Sequence, residues 1–243
     1  MRVETLLRYL ILQLVALSLL HWIGEILVIG FGAPRDGLIA KFYLDFERNI
    51  PTMVSSGLLL GCAFCAYAIG SPLRLKELKI GYAWYAVCGG FAFLAADEML
   101  EIHEILIEPM RRLTGGQGVL FQAWVPVYLG LLGIALAITW PVIRQLPRVF
   151  LWRCGIGAGV FVLGAAGMEI IGGFWMQNDE RDTWGYAIVV YLEEILELSG
   201  SSLMLLALLR HIATEQGGIN LYELGEDHTT AREFRRRITD VNS

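Results

Sequence analysis

Six stretches of this chain are each apolar over roughly the 20 residues that a helix needs to cross a bilayer. Nothing else in the sequence constrains the fold as tightly. The runs lie near residues 5–30, 52–71, 80–105, 120–142, 152–176 and 184–209. Hydrocarbon offers backbone N–H and C=O groups no partner, so each run must satisfy its own as a helix. The expected fold is an all-α, polytopic membrane bundle of about six transmembrane helices, forming one domain over residues 1–210. A flexible cytoplasmic tail over residues 211–243 follows. Composition agrees: 56% of the 243 residues are hydrophobic and 18% charged, with a mean hydropathy of +0.55. The first run follows Arg2 and Arg8 as a signal peptide would, but it is too long and lacks a small-x-small cleavage site, so it reads as a retained helix.

Loop charge sets the orientation. Arg2, Arg8, Arg74, Lys76, Lys79, Arg144, Arg148, Arg153 and Arg210 fall on one side. Arg35, Lys41, Arg48, Arg111, Arg112 and Arg181 fall on the other. The positive-inside rule then places both termini in the cytoplasm. Trp84, Trp124, Trp140, Trp152, Trp175 and Trp184 sit near run ends, as an interfacial aromatic belt requires. The Lys and Arg residues are dispersed among loops and the net charge is −5. That distribution argues against a nucleic-acid partner.

The runs also carry acids. Asp97, Glu98, Glu101, His103 and Glu104 belong to the third, Glu169 to the fifth, Glu193, Glu194 and Glu197 to the sixth, and His21 with Glu25 to the first. A lone carboxylate in hydrocarbon costs at least ~2.5 kcal/mol, so such groups are paired, protonated, metal-bound or exposed to a wet cavity. With the N-terminus inside, all four groups fall in the outer half of the membrane. Shared depth points to a single polar site opening toward the periplasm.

Helical phase refines the expectation. At about 100° per residue, Asp97, Glu101, Glu104 and Glu108 share one face of a continuous third helix, with Glu98 and His103 on its flanks. Glu193 and Glu197 align four residues apart, as do His21 and Glu25. Facing carboxylate stripes are neutralised by sharing protons or binding cations. The candidate metal or cation ligands are therefore Asp97, Glu101, His103, Glu104, Glu169, Glu193, Glu197, His21 and Glu25. Such oxygen-rich ligands suit Mg, Ca, Mn or non-haem Fe, while two histidines and an acid could hold Zn. The Glu-x-x-His pairs of a ferritin-like di-iron bundle are absent from the sequence. A proton relay or proton-coupled transporter is one alternative. A structural or accessory subunit with a protonated polar core is another.

Ahead of the second run stands Asp45-Phe46-Glu47-Arg48-Asn49-Ile50-Pro51-Thr52, then Ser55-Ser56, with Pro51 and Thr52 suited to a helix start and Glu47 and Asn49 placed over the site's mouth. Together with Asp97-Glu98-x4-His103-Glu104 and Glu193-Glu194-x2-Glu197-x2-Gly200, this segment resembles an uncharacterised family of bacterial multipass inner-membrane proteins over residues 40–205. Met53 stands where that pattern would carry an aromatic residue. The resemblance implies a bacterial inner (plasma) membrane location and the same bundle; it implies no activity.

Cys62-x2-Cys65 lies within an apolar run and reads as small packing residues rather than a redox motif. Gly57-x3-Gly61 and Gly155-x3-Gly159, with Gly164 and Gly167, read as close helix contacts, internal or with a membrane-protein partner or second copy. The Arg235-Arg236-Arg237 run in the tail could meet anionic lipid. No phosphate-binding loop, nucleophile elbow, dinucleotide fingerprint or haem-attachment motif is present.

Overall fold

The computed structural model describes residues 3–178 and 180–215. The proposed tail lies largely outside them, including the Arg235–Arg237 run. Among the described residues the elements are helical, with no strand. They are α1 (Val3–Glu25), α2 (Gly37–Phe42), α3 (Ile50–Lys76), α4 (Leu78–Leu100), α5 (Glu104–Thr114), α6 (Val125–Ile143), α7 (Arg148–Val162), α8 (Glu169–Gln177) and α9 (Trp184–Glu215). Wider π turns at Ile26–Gly30 and Leu163–Met168 extend α1 and join α7 to α8.

Among the described residues, four helical segments are long and apolar enough to cross a membrane: Glu4–Gly30, Ile50–Leu75, Leu78–Leu100 and Arg148–Gln177. The fourth expected run folds as a shorter apolar helix, Val125–Trp140. The sixth is a continuous helix of 32 residues whose apolar sequence is interrupted by the acids Glu193, Glu194 and Glu197.

The third run departs from expectation. It does not continue to residue 105: α4 stops at Leu100, Glu101 turns left-handed at φ 55°, and a new helix starts at Glu104. The cause is local. The Asp97 carboxylate accepts the His103 backbone N–H at 2.7 Å, giving it an acceptor other than the helical carbonyl, and such competition ends helices. The expected stripe of Asp97, Glu101, Glu104 and Glu108 is therefore split between two helices. Glu101 instead pairs with Arg48 at 2.8 Å, and exposed Glu108 pairs with Arg112 at 3.1 Å.

α9 is the hub, packing on α1, α3, α7 and α8. Its partnership with α7 is antiparallel and close because glycines remove the Cβ where backbones meet. A methyl group at Gly200 would lie 2.5 Å from the Phe161 amide nitrogen, and one at Gly157 2.8 Å from Met204 Cγ. Gly155 and Gly159, the glycines of the sequence motif, face open space. Of the four glycines expected to make close contacts on this run, Gly164 does so, beside Gly157; Gly155 and Gly159 do not, and Gly167 meets only Leu163 of its own π turn. Of the other motif, Gly61 meets Leu205 while Gly57 meets nothing.

α3 and α4 form an antiparallel hairpin, with Gly70 beneath Trp84 and Tyr85. Its core continues through Cys62, Cys65 and Ile69 to Phe150, Met204 and Ile212. Cys62 and Cys65 are free thiols inside that core, as the packing reading expects. Leu10 and Leu17 of α1 pack with Leu58, Leu198 and Leu206. α6 stands apart, packing principally against α4, and Leu129, Leu131, Ile134 and Ile138 along it are exposed.

Candidate functional site: an acid-walled cavity

A cavity of about 890 Å³ lies among α4, α6, the α7–α8 rod and α9. α4, the rod and α9 each contribute one face and α6 most of its circumference, and each lining changes from apolar to polar. On α4, Val87, Gly90, Phe91 and Leu94 lead to Asp97 and Glu98. On the rod, Ala158, Val162 and Ala165 lead to Glu169. The antiparallel α9 runs from Tyr186, Glu193, Glu194 and Glu197 to Met204, and α6 from Trp124 and Tyr128 to Leu132, Ala135 and Thr139. These spacings of three and four residues are those of one helical face. The acids on α4, α8 and α9 thus meet at one end of one chamber, as their depth suggested.

Asp45, Glu47 and Glu104 join them, giving nine carboxyl side chains on the cavity wall against His103, Arg111 and Arg181 as basic groups. Asp45 is exposed, and Glu98, Glu169, Glu193, Glu194 and Glu197 are only half-buried. They lie inside the bundle, so the surface they retain is turned into the cavity.

Two polar chains organise the wall. In the first, His103 sits between carboxylates, with Nδ1 3.3 Å from Asp97 Oδ2 and Nε2 3.7 Å from Glu47 Oε1. Tyr128 donates its hydroxyl to Asp97 Oδ1 at 3.0 Å, and the Trp124 ring lies 4.8 Å from the imidazole. In the second, Arg111 donates to the Phe121 carbonyl at 2.6 Å and fixes the loop carrying Gln122. Gln122 Nε2 and Trp124 Nε1 both donate to Glu169 Oε1. The Glu169 and Glu193 carboxyls are themselves in hydrogen-bonding contact. Gly164, in the π turn, lets α7 approach this point: a methyl there would lie 2.7 Å from the Glu193 carbonyl and 2.9 Å from Glu197 Cγ. Single π turns recur at functional sites because they re-aim the residues that follow.

The segment before α3 is braced on every side. Asn49 caps α3, accepting from the Thr52 amide at 3.1 Å and donating to the Tyr43 carbonyl at 2.6 Å. Tyr186 holds Asp45 at 3.3 Å. Arg48 and Glu101, the two non-glycine residues with positive φ among the described residues (57° and 55°), are the residues that pair with each other. Left-handed backbone at such residues costs about 1–2 kcal/mol each and persists where surroundings enforce it.

Electrostatics follow from the crowding. Loss of hydration inside the cavity, reinforced by the Glu169 charge, pushes Asp45 up to about 6 against the Tyr186 hydroxyl, Arg181 and Arg35. Burial raises Glu47 to about 8; His103 opposes the shift, and Glu98, Glu101 and Glu104 add to it. Burial alone would lower His103, yet its hydrogen bond to Asp97 and the charges of Asp97, Glu47 and Glu169 raise it to about 9.

The expected ligands do not all converge. Asp97, His103, Glu104, Glu169, Glu193 and Glu197 line the cavity, and Glu101 does not. His21 and Glu25 form a separate buried site. Glu25 pairs with Arg35 at 3.1 Å, and Arg35 reaches Asp182 at 2.6 Å. His21 stacks between Tyr43 and Tyr191, its Nδ1 3.4 Å from the Leu44 amide. Both sit apart from the cavity wall, on α1, where they hold the 31–44 connection. Among the described residues no three His, Cys, Asp or Glu side chains form a group suited to a metal ion.

Sequence reasoning placed Asp45 in the segment at the mouth but did not single out Gln122, Tyr128, Arg181 or Tyr186 for the site. Only the hydroxyl of Tyr128 at the start of an apolar run hinted at a polar partner. The chain matches no curated protein and no solved structure. It belongs to the family of the domain of unknown function DUF8692, whose model matches residues 8–212.

Proposed function

We propose that this chain is a six-span protein of the bacterial inner membrane that binds a cation in the acid-walled cavity, for transport, sensing or catalysis. The observation that carries this reading is the imbalance of nine carboxyl side chains against three basic ones on a single cavity wall. Acids at that density must be matched by protons or by cations. The basic-residue bias of the loops supports a cytoplasmic location for both termini, with the acid end toward the periplasm. A divalent or non-haem metal would have to recruit Glu169, Glu193 and Glu197, or Asp97, His103 and Glu104, by side-chain rotation. The dispersed carboxylates favour a larger, more diffuse cation.

The test is equilibrium dialysis of the full chain in lipid nanodiscs against Mg, Ca, Mn, Fe and Zn ions and against tetramethylammonium. Wild type should bind at least one of them saturably, and Glu193→Gln with Glu197→Gln should abolish it. Absence of saturable binding by every cation would overturn the reading. A stable co-purifying membrane protein in that case would favour the accessory-subunit alternative. The Glu47–His103–Asp97–Tyr128 chain favours a second reading, proton-coupled transport. It predicts that acidification of proteoliposome interiors by an imposed gradient slows in His103→Gln.

A further inference from the structure

We infer that the cation is the head of an amphiphile, and that its hydrocarbon chain lies in the apolar limb of the same cavity, entering from lipid beside α6. This rests on the cation-binding reading and names its ligand class: a long-chain amine or quaternary ammonium compound, whether a lipid or a free surfactant-like molecule.

The cavity is amphiphilic along its length. Beyond the acids, α6 lines it as far as Ile143. The 14 steps from Leu129 to Ile143, at 1.5 Å each, make a slot of roughly 20 Å, about two-thirds of the hydrocarbon thickness. Its walls are small or aliphatic: Ala86, Val87 and Gly90 on one side, Leu132 and Ala135 opposite, Ala158 and Val162 behind. A small inorganic ion has no use for such a limb, and a total of about 890 Å³ lies toward the upper end of the ~300–1,000 Å³ of organic-ligand sites.

Entry is built in. α6 packs principally on α4. The α6 wall opens outward: Leu131, Ile134 and Ile138 line the cavity and are exposed on the outside of the bundle, while across from them a Cβ on Gly90 of α4 would meet nothing within 4 Å. An apolar opening of this kind within a bilayer is occupied by hydrocarbon. Charge complementarity selects the head. Trp124, Tyr128 and Tyr186 stand among the carboxylates, and aromatic faces beside acids are the surroundings in which ammonium groups are recognised.

The experiment measures binding of radiolabelled tetramethylammonium and dodecyltrimethylammonium to the full chain in nanodiscs, subtracting empty nanodiscs. Wild type should bind the long-chain probe tighter by on the order of tenfold or more, since each buried methylene favours the site. Gly90→Leu, which places a side chain in the slot, should cancel that preference and leave tetramethylammonium binding unchanged. Gly89→Leu, one position away and off the cavity wall, should change neither. Ala135→Leu obstructs the slot from the facing helix and guards against a folding defect in the first variant. If tetramethylammonium binds but chain length and both obstructions have no effect, the inference fails and the cation reading stands. If neither probe nor any metal ion binds, the cation reading fails and takes the inference with it.

Discussion

His103 ties the stability of the cavity mouth to pH in a direction opposite to that of most proteins. Its imidazole lies between Asp97 and Glu47 and is raised from 6.5 to about 9. The fold therefore holds the proton more tightly than the unfolded chain does. That stabilisation is complete below about pH 6.5 and is lost as pH rises through about 9. At about 1.4 kcal/mol per tenfold in proton affinity, the difference amounts to about 3 kcal/mol. The side chain is 19% exposed, so little of this is screened away. Glu47, raised to about 8, and Asp45, raised to about 6, act in the same sense. Each favours the protonated fold and weakens it once ionised. The assay is unfolding in mixed micelles followed by tryptophan fluorescence between pH 6 and 10. Wild type should lose about 3 kcal/mol through His103 over that range, with a further loss up to about pH 8 as Glu47 ionises. His103→Gln should be less stable than wild type at pH 6 and nearly flat above pH 8.5. Equal slopes in the two proteins would refute the assignment of the charge to His103.

Three further outcomes follow from the packing. Gly200→Ala drives a methyl into the Phe161 backbone and should destabilise by about 1–3 kcal/mol, whereas Gly159→Ala, facing open space, should change thermal stability little. Arg35→Met leaves Glu25, which is fully buried, without its counter-ion; a loss of about 3–5 kcal/mol in a denaturant titration is expected, and recovery in the Glu25→Gln, Arg35→Met double variant would show that the stranded charge is the cause. Asn49→Ala removes the α3 cap at a cost of about 1–2 kcal/mol, visible as faster hydrogen exchange at Thr52 and Met53; unchanged exchange would dissociate the cap from the ordering of the mouth.

Which end of each apolar run carries the acids was legible in the sequence, and the antiparallel helices bring those ends together in one cavity. That is why Asp97, Glu169, Glu193 and Glu197 were brought together correctly. Azimuth was not legible in the same way. Periodicity says which residues share a face of one helix but not which neighbour that face meets, so His21 and Glu25 were placed with a cluster from which they are separated. Glu101 failed for a different reason. Its phase was computed for an unbroken helix, and the Asp97 side chain ends that helix by capturing the His103 amide.

Apolar runs, their length and the need to satisfy backbone groups in hydrocarbon dictated from the sequence alone that this chain would be helical and rich in membrane-length segments. The unfavourable transfer of carboxylates dictated that its acids would gather. Only the tertiary structure decided that glycines at 157, 164 and 200 draw α7 and α9 into contact while α6 stands off. The cavity exists because of that difference in approach, and distance between helices is set by pairs of facing side chains that no single run contains.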